Sequence, residues 1–145
     1  AVGITIAEHN IAKFSSQLND IAANSFDNRE TIAQTTIDSL CRISDISLEL
    51  IHQIEMLAPF GSHNPEPLLY ARDVSINAPV VVGGNHLKMY VKSNGVSFES
   101  IWFNMARHLP EMFDANLDIV FTPQINNWNG TPEIQLKIKD ININH

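Results

Sequence analysis

The most restrictive feature of this sequence is the dipeptide Asn94-Gly95, which lies between two segments of alternating apolar and polar residues. An Asn-Gly pair in this setting is the strongest short-range signal for a two-residue hairpin turn, because both turn residues must adopt positive φ. Such a turn fixes the register of the two strands, so Ser93 faces Val96. The pairing predicts one buried face with Leu87, Met89, Val91, Phe98 and Trp102, and one outer face with His86, Lys88, Tyr90, Lys92 and Phe103.

Three further strand-like segments accompany this hairpin, and a short helical pattern follows its second strand. Five strands with a short helix between the third and the fourth is the order of the OB-fold. That fold is a small barrel that binds oligonucleotides or oligosaccharides on the face of strands two and three and through two of its loops. The predicted class is therefore α+β, with strands at 68–77, 85–92, 96–103, 117–126 and 133–143 and a helix at 105–113.

The N-terminal part has a helical pattern instead. Apolar residues at steps of three and four predict an amphipathic helix over 8–25. Residues 35–40 alternate weakly and are a candidate strand, and Ser44-Asp45 is predicted to cap a second helix that ends near Leu57. Three prolines in Pro59–Pro67 predict an extended, semi-rigid connector. We therefore expect three parts: 1–58 with the two helices, 59–67 as linker and 68–145 as the OB domain.

Composition excludes several classes of protein. An apolar fraction of 44% with 17% charged residues excludes a disordered chain, and the single Cys41 excludes a scaffold built on internal disulfides. No apolar run approaches the ~20 residues of a membrane span, and no signal peptide is visible, which predicts a cytoplasmic protein. Because the chain opens without Met and in a strand-like run, we expect a piece of a longer protein.

The negative charge is concentrated in the first part of the chain. Residues 1–66 hold three Lys/Arg against nine Asp/Glu, a balance of −6, whereas residues 67–145 hold six against seven, a balance of −1. Affinity for nucleic acid comes mainly from cations that replace counterions on phosphate. Any such site therefore belongs to a local positive patch in the second part.

Three segments carry a family likeness. They are Leu57-Ala58-Pro59-Phe60-Gly61 with Asn64-Pro65-Glu66-Pro67, then Gly84-Asn85-His86-Leu87-Lys88-Met89, then Asn126–Gly130 with Gln135–Ile141. In this order and spacing they resemble the C-terminal part of the RecJ family, bacterial single-strand-specific DNA exonucleases among the DHH phosphoesterases. The likeness runs from the first residues to about Ile141. It departs at His63, where the family usually has glycine.

The resemblance implies a metal-binding DHH domain, a DHHA1 domain of α/β class and an OB-fold that holds single-stranded DNA. It also implies that residues 1–58 are the C-terminal tail of the DHHA1-like domain. Ala1-Val2-Gly3 looks like the end of the family's Gly-Gly-His…Ala-Ala-Gly stretch, and no Asp-His-His triplet occurs here. We therefore expect no cofactor in this chain, Mn²⁺ or Mg²⁺ in a missing catalytic domain, and no nuclease activity from this part alone. The expected partners are single-stranded DNA and the chain's own upstream domain, with no membrane.

The residues themselves show no catalytic centre. The six histidines form no close-spaced pair of the kind that binds zinc, and Gly61-Ser62-His63 is not a nucleophile elbow. The binding residues are more informative. Lys88, Tyr90 and Lys92 interleave cations with an aromatic ring, which suits phosphates and bases of a single strand, although such residues also occur on strand faces that only meet water.

Five other residues are candidates for the same binding surface, and each has an alternative role: Trp102, Phe103, Trp128, Lys137 and Lys139. Regular alternation directs Trp102 inward and Phe103 outward, while a bulge would exchange them. Trp128 lies between the fourth and fifth predicted strands, where its ring either stacks on a base or closes the barrel end. Lys137 and Lys139 enlarge the patch if the fifth strand borders the first on the ligand side, and otherwise serve solubility.

Two functions from different classes remain open at this point. The first is the single-stranded-DNA-binding part of a RecJ-like 5′→3′ exonuclease of DNA repair and recombination. The second is a protein-interaction or architectural OB module without direct DNA contact, in which the acidic first part docks a partner.

Overall fold

The computed structural model describes residues 3–25, 34–112, 116–127 and 130–144. By their internal contacts the residues form two compact units, Ala1–Thr35 and Thr36–His145. The first unit contains a 3₁₀ turn, Glu8–Asn10, followed directly by helix α1, Ile11–Ser25. The helix predicted over 8–25 is thereby confirmed. The assignment of 1–58, 59–67 and 68–145 to separate domains stays a prediction.

The second unit is built around a closed barrel of five strands. The strands are β2 at Leu69–Val82, β3 at His86–Ser93, β4 at Val96–Trp102, β5 at Asn116–Asn126 and β6 at Glu133–Asn144. They follow the order β2-β3-β4-β6-β5, and β5 pairs back onto β2. All of these pairs are antiparallel except β4 with β6. This is the predicted OB architecture.

The hairpin register predicted from Asn94-Gly95 is confirmed. Both turn residues have positive φ, 51° and 81°, as the two-residue turn requires. Ser93 pairs with Val96, and each further pair follows by regular alternation as far as Leu87 with Trp102. The inner face of β3 is consequently almost completely buried, with Leu87 and Val91 at 0% exposure.

Strand β2 is longer than predicted because two bulges bend it instead of ending it. Its register shifts near Asp73 and again after Asn77, and Asp73 and Ala78 have φ of 51° and 48°. Pro79 lies within the second bulge, between the paired residues Asn77 and Val80, where a residue without an N–H is tolerated. The bent strand pairs with β5 through its first half and with β3 through its second, which closes the barrel.

Residues before the barrel pack onto it. Strand β1, Ser39–Leu40, pairs in parallel with the start of β2, and the 3₁₀ turn Ile43–Asp45 follows it. Ile43 and Ile46 are 2% and 6% exposed and belong to the barrel core. Helix α2, Leu48–Glu55, therefore begins later than predicted, and its N-cap is Ser47, whose hydroxyl accepts from the Leu50 N–H at 3.2 Å.

The proline-rich connector turns instead of running extended as predicted. Gly61 and Asn64 exchange backbone hydrogen bonds of 2.8 and 3.1 Å. The Asn64 side-chain amide also donates to the carbonyls of Leu57 and Pro59, at 2.8 and 3.0 Å. The segment turns because Asn64 forms hydrogen bonds with several backbone groups at once, as asparagine commonly does in turns. His63 lies within the turn and is not among the residues with positive φ, so a side chain there meets no left-handed strain.

The predicted helix at 105–113 is a 3₁₀ helix, Ala106–Met112, with Pro110 inside it. Within the described ranges no helix combines the length and apolar character of a membrane span.

Candidate nucleic-acid interface

The outer face of β3, β4 and β6 carries the polar and charged side chains that the inner face excludes. Because the register is regular here, residues on neighbouring strands form straight rows across the barrel wall. One row runs from Lys88 through Ile101 to Lys137. The next contains Tyr90, Glu99, Gln135 and Gln124. We call these two rows, together with Lys92, the outer-face rows.

A chain of polar contacts connects four strands within these rows. The Lys88 ammonium lies 2.7 Å from Oε2 of Glu99, whose side chain is only 17% exposed. Oε1 of Glu99 accepts from the Gln135 side-chain amide at 2.8 Å, and the Gln135 carbonyl oxygen accepts from the Gln124 amide, also at 2.8 Å. The hydrogen bond with Glu99 raises the pKa of Lys88 above its usual value, so this amine is charged at neutral pH.

Two aromatic rings are exposed in this region: Tyr90 lies between Lys88 and Lys92 along β3, and Phe103 directly follows β4. Tyr90 is 46% and Phe103 43% exposed. Phe103 meets the His86 ring edge-on, with centroids 5.1 Å apart and an interplanar angle of 69°. His86 is itself held, because its Nδ1 accepts from the Asn104 N–H at 3.0 Å. Phe103 therefore has a fixed support on one side and solvent on the other.

Trp102 is a correction to the predicted set of ligand-facing residues. It is 6% exposed and belongs to the barrel core, since the regular pairing of Leu87 with Trp102 leaves no bulge that would turn it outward. Its ring stacks on His108, with centroids 5.4 Å apart and an interplanar angle of 28°. Of the neighbouring pair, Phe103 is the one that meets solvent.

The fifth predicted strand, β6, has other neighbours than the sequence analysis considered, which was that it borders the first barrel strand. It pairs with β4 and β5, not with the first barrel strand, and Lys137 thereby joins the row of Lys88. Lys139 differs. Val120 pairs with Asp140 and Phe121 with Ile138, so a bulge at Lys139 interrupts the alternation that would place it on the same face as Lys137. Lys139 is exposed.

Trp128, the remaining predicted residue, lies outside the described residues. The sequence reasoning also missed Glu99, Gln135 and Gln124 as parts of this surface. The hairpin register, which opposes Glu99 to Tyr90, is the signal from which Glu99 could have been found. The pairing of β4 with β6, which brings Gln135 to Glu99, is a long-range contact with no local sequence signature.

A separate cavity of about 530 Å³ lies beside the hairpin turn, with Arg42 and Arg72 in its wall. Arg42 is bound to Asp45 at 3.1 Å, and this hydrogen bond lowers the pKa of Asp45. The Arg72 guanidinium lies 5.6 Å from the centroid of the Tyr70 ring. Asp45 and Asp73 also line the cavity, so two carboxylates offset the charge of the two guanidinium groups. The cavity therefore has no electrostatic preference for an anion.

The described residues offer no ligand set for a metal ion. Within 3–25, 34–112, 116–127 and 130–144, no three His, Cys, Asp or Glu side chains converge. Burial raises the pKa of the Cys41 thiol, and Asp45 adds to the effect, which makes the thiolate needed for metal binding or nucleophilic attack less accessible.

Comparison with known proteins places these features in a family. The family model of the RecJ OB domain matches residues 37–140. The single-stranded-DNA-specific exonuclease RecJ of Bacillus subtilis (strain 168) is 29% identical over 143 residues, which cover 97% of this chain and 18% of that protein.

Solved structures agree in fold. RecJ from Thermus thermophilus in complex with Mn²⁺ superposes with a TM-score of 0.64 at 17% identity, over 97% of this chain and 20% of that one. The Mg²⁺ complex of RecJ from the same organism gives 0.59 at 17% identity, over 94% and 21%. The chain thus spans about a fifth of the length of these relatives.

Proposed function

Because this chain belongs to the RecJ OB domain family, we propose that it is the single-stranded-DNA-binding part of a RecJ-like 5′→3′ exonuclease that acts in DNA repair and recombination. The B. subtilis relative is by name a single-stranded-DNA-specific exonuclease. The substrate class is carried over from that name and from the surface described above.

The observation that carries the proposal is the position of the outer-face rows. OB-folds bind oligonucleotides on the second and third barrel strands, which are β3 and β4 here. Strand β3 carries Lys88, Tyr90 and Lys92 on its outer side. Ammonium groups suit phosphates, and exposed rings suit bases, whatever their sequence. We therefore infer that a single strand crosses β3 and β4 and extends to Lys137 on β6.

We infer further that hydrolysis belongs to an upstream catalytic domain of the parent protein, where Mn²⁺ or Mg²⁺ would activate water. The present chain would hold the strand that enters that site. A cytoplasmic location fits this role and stays a prediction. An assay of the pure chain with labelled single-stranded DNA and either metal should release no nucleotides, and metal-dependent release would contradict this division of labour.

Titration of the chain with a fluorescently labelled oligothymidylate at two salt concentrations tests the proposal. Binding that weakens as salt rises, with little competition from duplex DNA, is the expected result. A chain that ignores DNA at both concentrations would instead favour the protein-interaction or architectural module.

A further inference from the structure

The structure places a carboxylate in the middle of the surface that is proposed to hold an anionic polymer. Glu99 lies in the same row as Tyr90, and its Oε2 contacts the Lys88 ammonium at 2.7 Å. A phosphate and this carboxylate therefore compete for the same ammonium group. For a surface that holds DNA, such a neighbour is unexpected on charge alone.

The carboxylate is also fixed in position. Gln135 donates to Oε1 of Glu99 at 2.8 Å, and Gln124 in turn holds the carbonyl oxygen of Gln135 at the same distance. Gln135 is 8% exposed, so this support lies within the barrel wall and not among freely rotating side chains. Glu99 consequently stays beside Lys88 when a ligand approaches, instead of swinging into solvent.

On these contacts we propose that Glu99 is a built-in competitor of phosphate for Lys88, and that it lowers the affinity of this face for single-stranded DNA. The inference rests on the proposed function. When a phosphate takes the Lys88 ammonium, the Glu99 carboxylate loses its partner and attracts a cation from solution. That uptake offsets part of the counterion release that drives binding. A lower affinity suits a strand that must move along the surface as it shortens.

Glu99→Gln tests the competition because glutamine keeps the shape and the hydrogen bond acceptor but loses the charge. The ion pair is partly exposed, with the Lys88 side chain 42% accessible, so its net worth is small. We therefore expect the variant to bind the labelled oligothymidylate roughly two- to five-fold more tightly at low salt. The slope of log affinity against log salt should steepen by up to about 0.7, the contribution of one cation on a single strand.

Glu133→Gln is the matched control. Glu133 is exposed on the same strand as Gln135, two residues before it, and its charge acts on Lys88 without a direct ion pair. This variant removes the same charge and should change affinity less than Glu99→Gln does. A double-mutant cycle with Lys88→Ala completes the design, since in that background Glu99→Gln should lose its excess effect over Glu133→Gln.

The outcomes separate the two proposals. If the unaltered chain fails to bind single-stranded DNA, the proposed function is overturned, and this inference with it. If the chain binds in a salt-dependent way but Glu99→Gln binds equally or more weakly, the proposed function stands and the competition is overturned. An effect of Glu99→Gln that persists in full without Lys88 also overturns it. A thermal melt of each variant confirms that the barrel is intact.

Discussion

The hydroxyl of Tyr70 on β2 donates a hydrogen bond of 2.5 Å to Oδ2 of Asp118 on β5. The other carboxylate oxygen of Asp118 accepts from the Asp73 N–H at 3.2 Å. The Asp118 side chain therefore links β5 to the first bulge of β2. Asp118 is 8% exposed. The contact stabilises the place where the barrel closes, because a largely buried carboxylate requires hydrogen-bond donors.

Tyr70→Phe should lower the free energy of unfolding by about 1–2 kcal/mol at neutral pH. It removes the hydrogen bond to the Asp118 carboxylate, and the loss is moderate because the Tyr70 side chain is itself partly exposed. Chemical denaturation measures this difference. Ser75→Ala, which removes the hydroxyl of an exposed β2 residue, is the control and should cost less.

The same pair predicts a pH dependence. The hydrogen bond to Asp118 raises the pKa of Tyr70 above its ordinary 10.0, so the folded state favours the protonated phenol. The stabilisation is therefore complete below pH 10.0 and is lost as the pH rises through the higher folded-state pKa. The stability difference between the native chain and Tyr70→Phe should shrink in alkaline solution. A difference that stays constant would contradict the assigned contact.

Local patterns predicted the fold well where they were strong. Asn94-Gly95 determined the register of seven residue pairs between β3 and β4, because a two-residue turn leaves a strand pair no other alignment. The start of α2 was predicted incorrectly at Ser44-Asp45. Both residues are acceptable caps, but burial of Ile43 and Ile46 in the barrel core favours a 3₁₀ turn there and moves the cap to Ser47. Tertiary packing outweighs capping preference in such cases.

The candidate surface was predictable only in part for a similar reason. The outward positions of Lys88 and Tyr90 follow from alternation along one strand. The contact of Glu99 with Gln135 depends on which distant strand lies next to β4, and the bulge at Lys139 depends on how β5 and β6 accommodate the curvature of a closed barrel. The alternation of apolar and polar residues along a single strand predicts neither the contact nor the bulge.

Trp102→Ala and Phe103→Ala are adjacent changes with opposite expected results. Trp102 is buried, so its loss should cost about 3–5 kcal/mol of stability. Phe103→Ala should leave stability nearly unchanged and weaken binding of single-stranded DNA, by at most the ~1–3 kcal/mol of a base stacked on a ring. A thermal melt and a titration distinguish the two. A strongly destabilised Phe103→Ala would mean that its contact with His86 supports the barrel.

Trp128→Ala tests the candidate binding residue that lies outside the described residues and is known only by its position in the sequence. Its neighbours Asn129-Gly130 form turns readily without the ring, and the loop between β5 and β6 is one that OB-folds direct at ligands. We expect an intact barrel and a loss of binding of ~1–3 kcal/mol, or about five- to 150-fold. A fall of about 3–5 kcal/mol in stability instead would assign the ring to closing the barrel end.

Lys88→Ala and Lys92→Ala should differ in how they change the salt dependence of binding. A lysine on a phosphate of a single strand contributes about −0.7 to the slope of log affinity against log salt. Lys92 is exposed, and within the described residues it makes no ion pair, so its loss should remove most of that amount. Loss of Lys88 should remove less, because Glu99 already offsets its charge.

Together the two changes should flatten the slope by roughly one unit. Lys92 is exposed and the Lys88 side chain is 42% exposed, and a partly exposed ion pair contributes little, so stability should fall little. Arg107→Ala is the control, since it removes one cation from the 3₁₀ helix, outside the outer-face rows; its slope should match that of the native chain. An unchanged slope in the double variant would locate the DNA path away from β3. A larger loss for Lys88→Ala than for Lys92→Ala would show that Glu99 orients the ammonium for phosphate instead of competing with it.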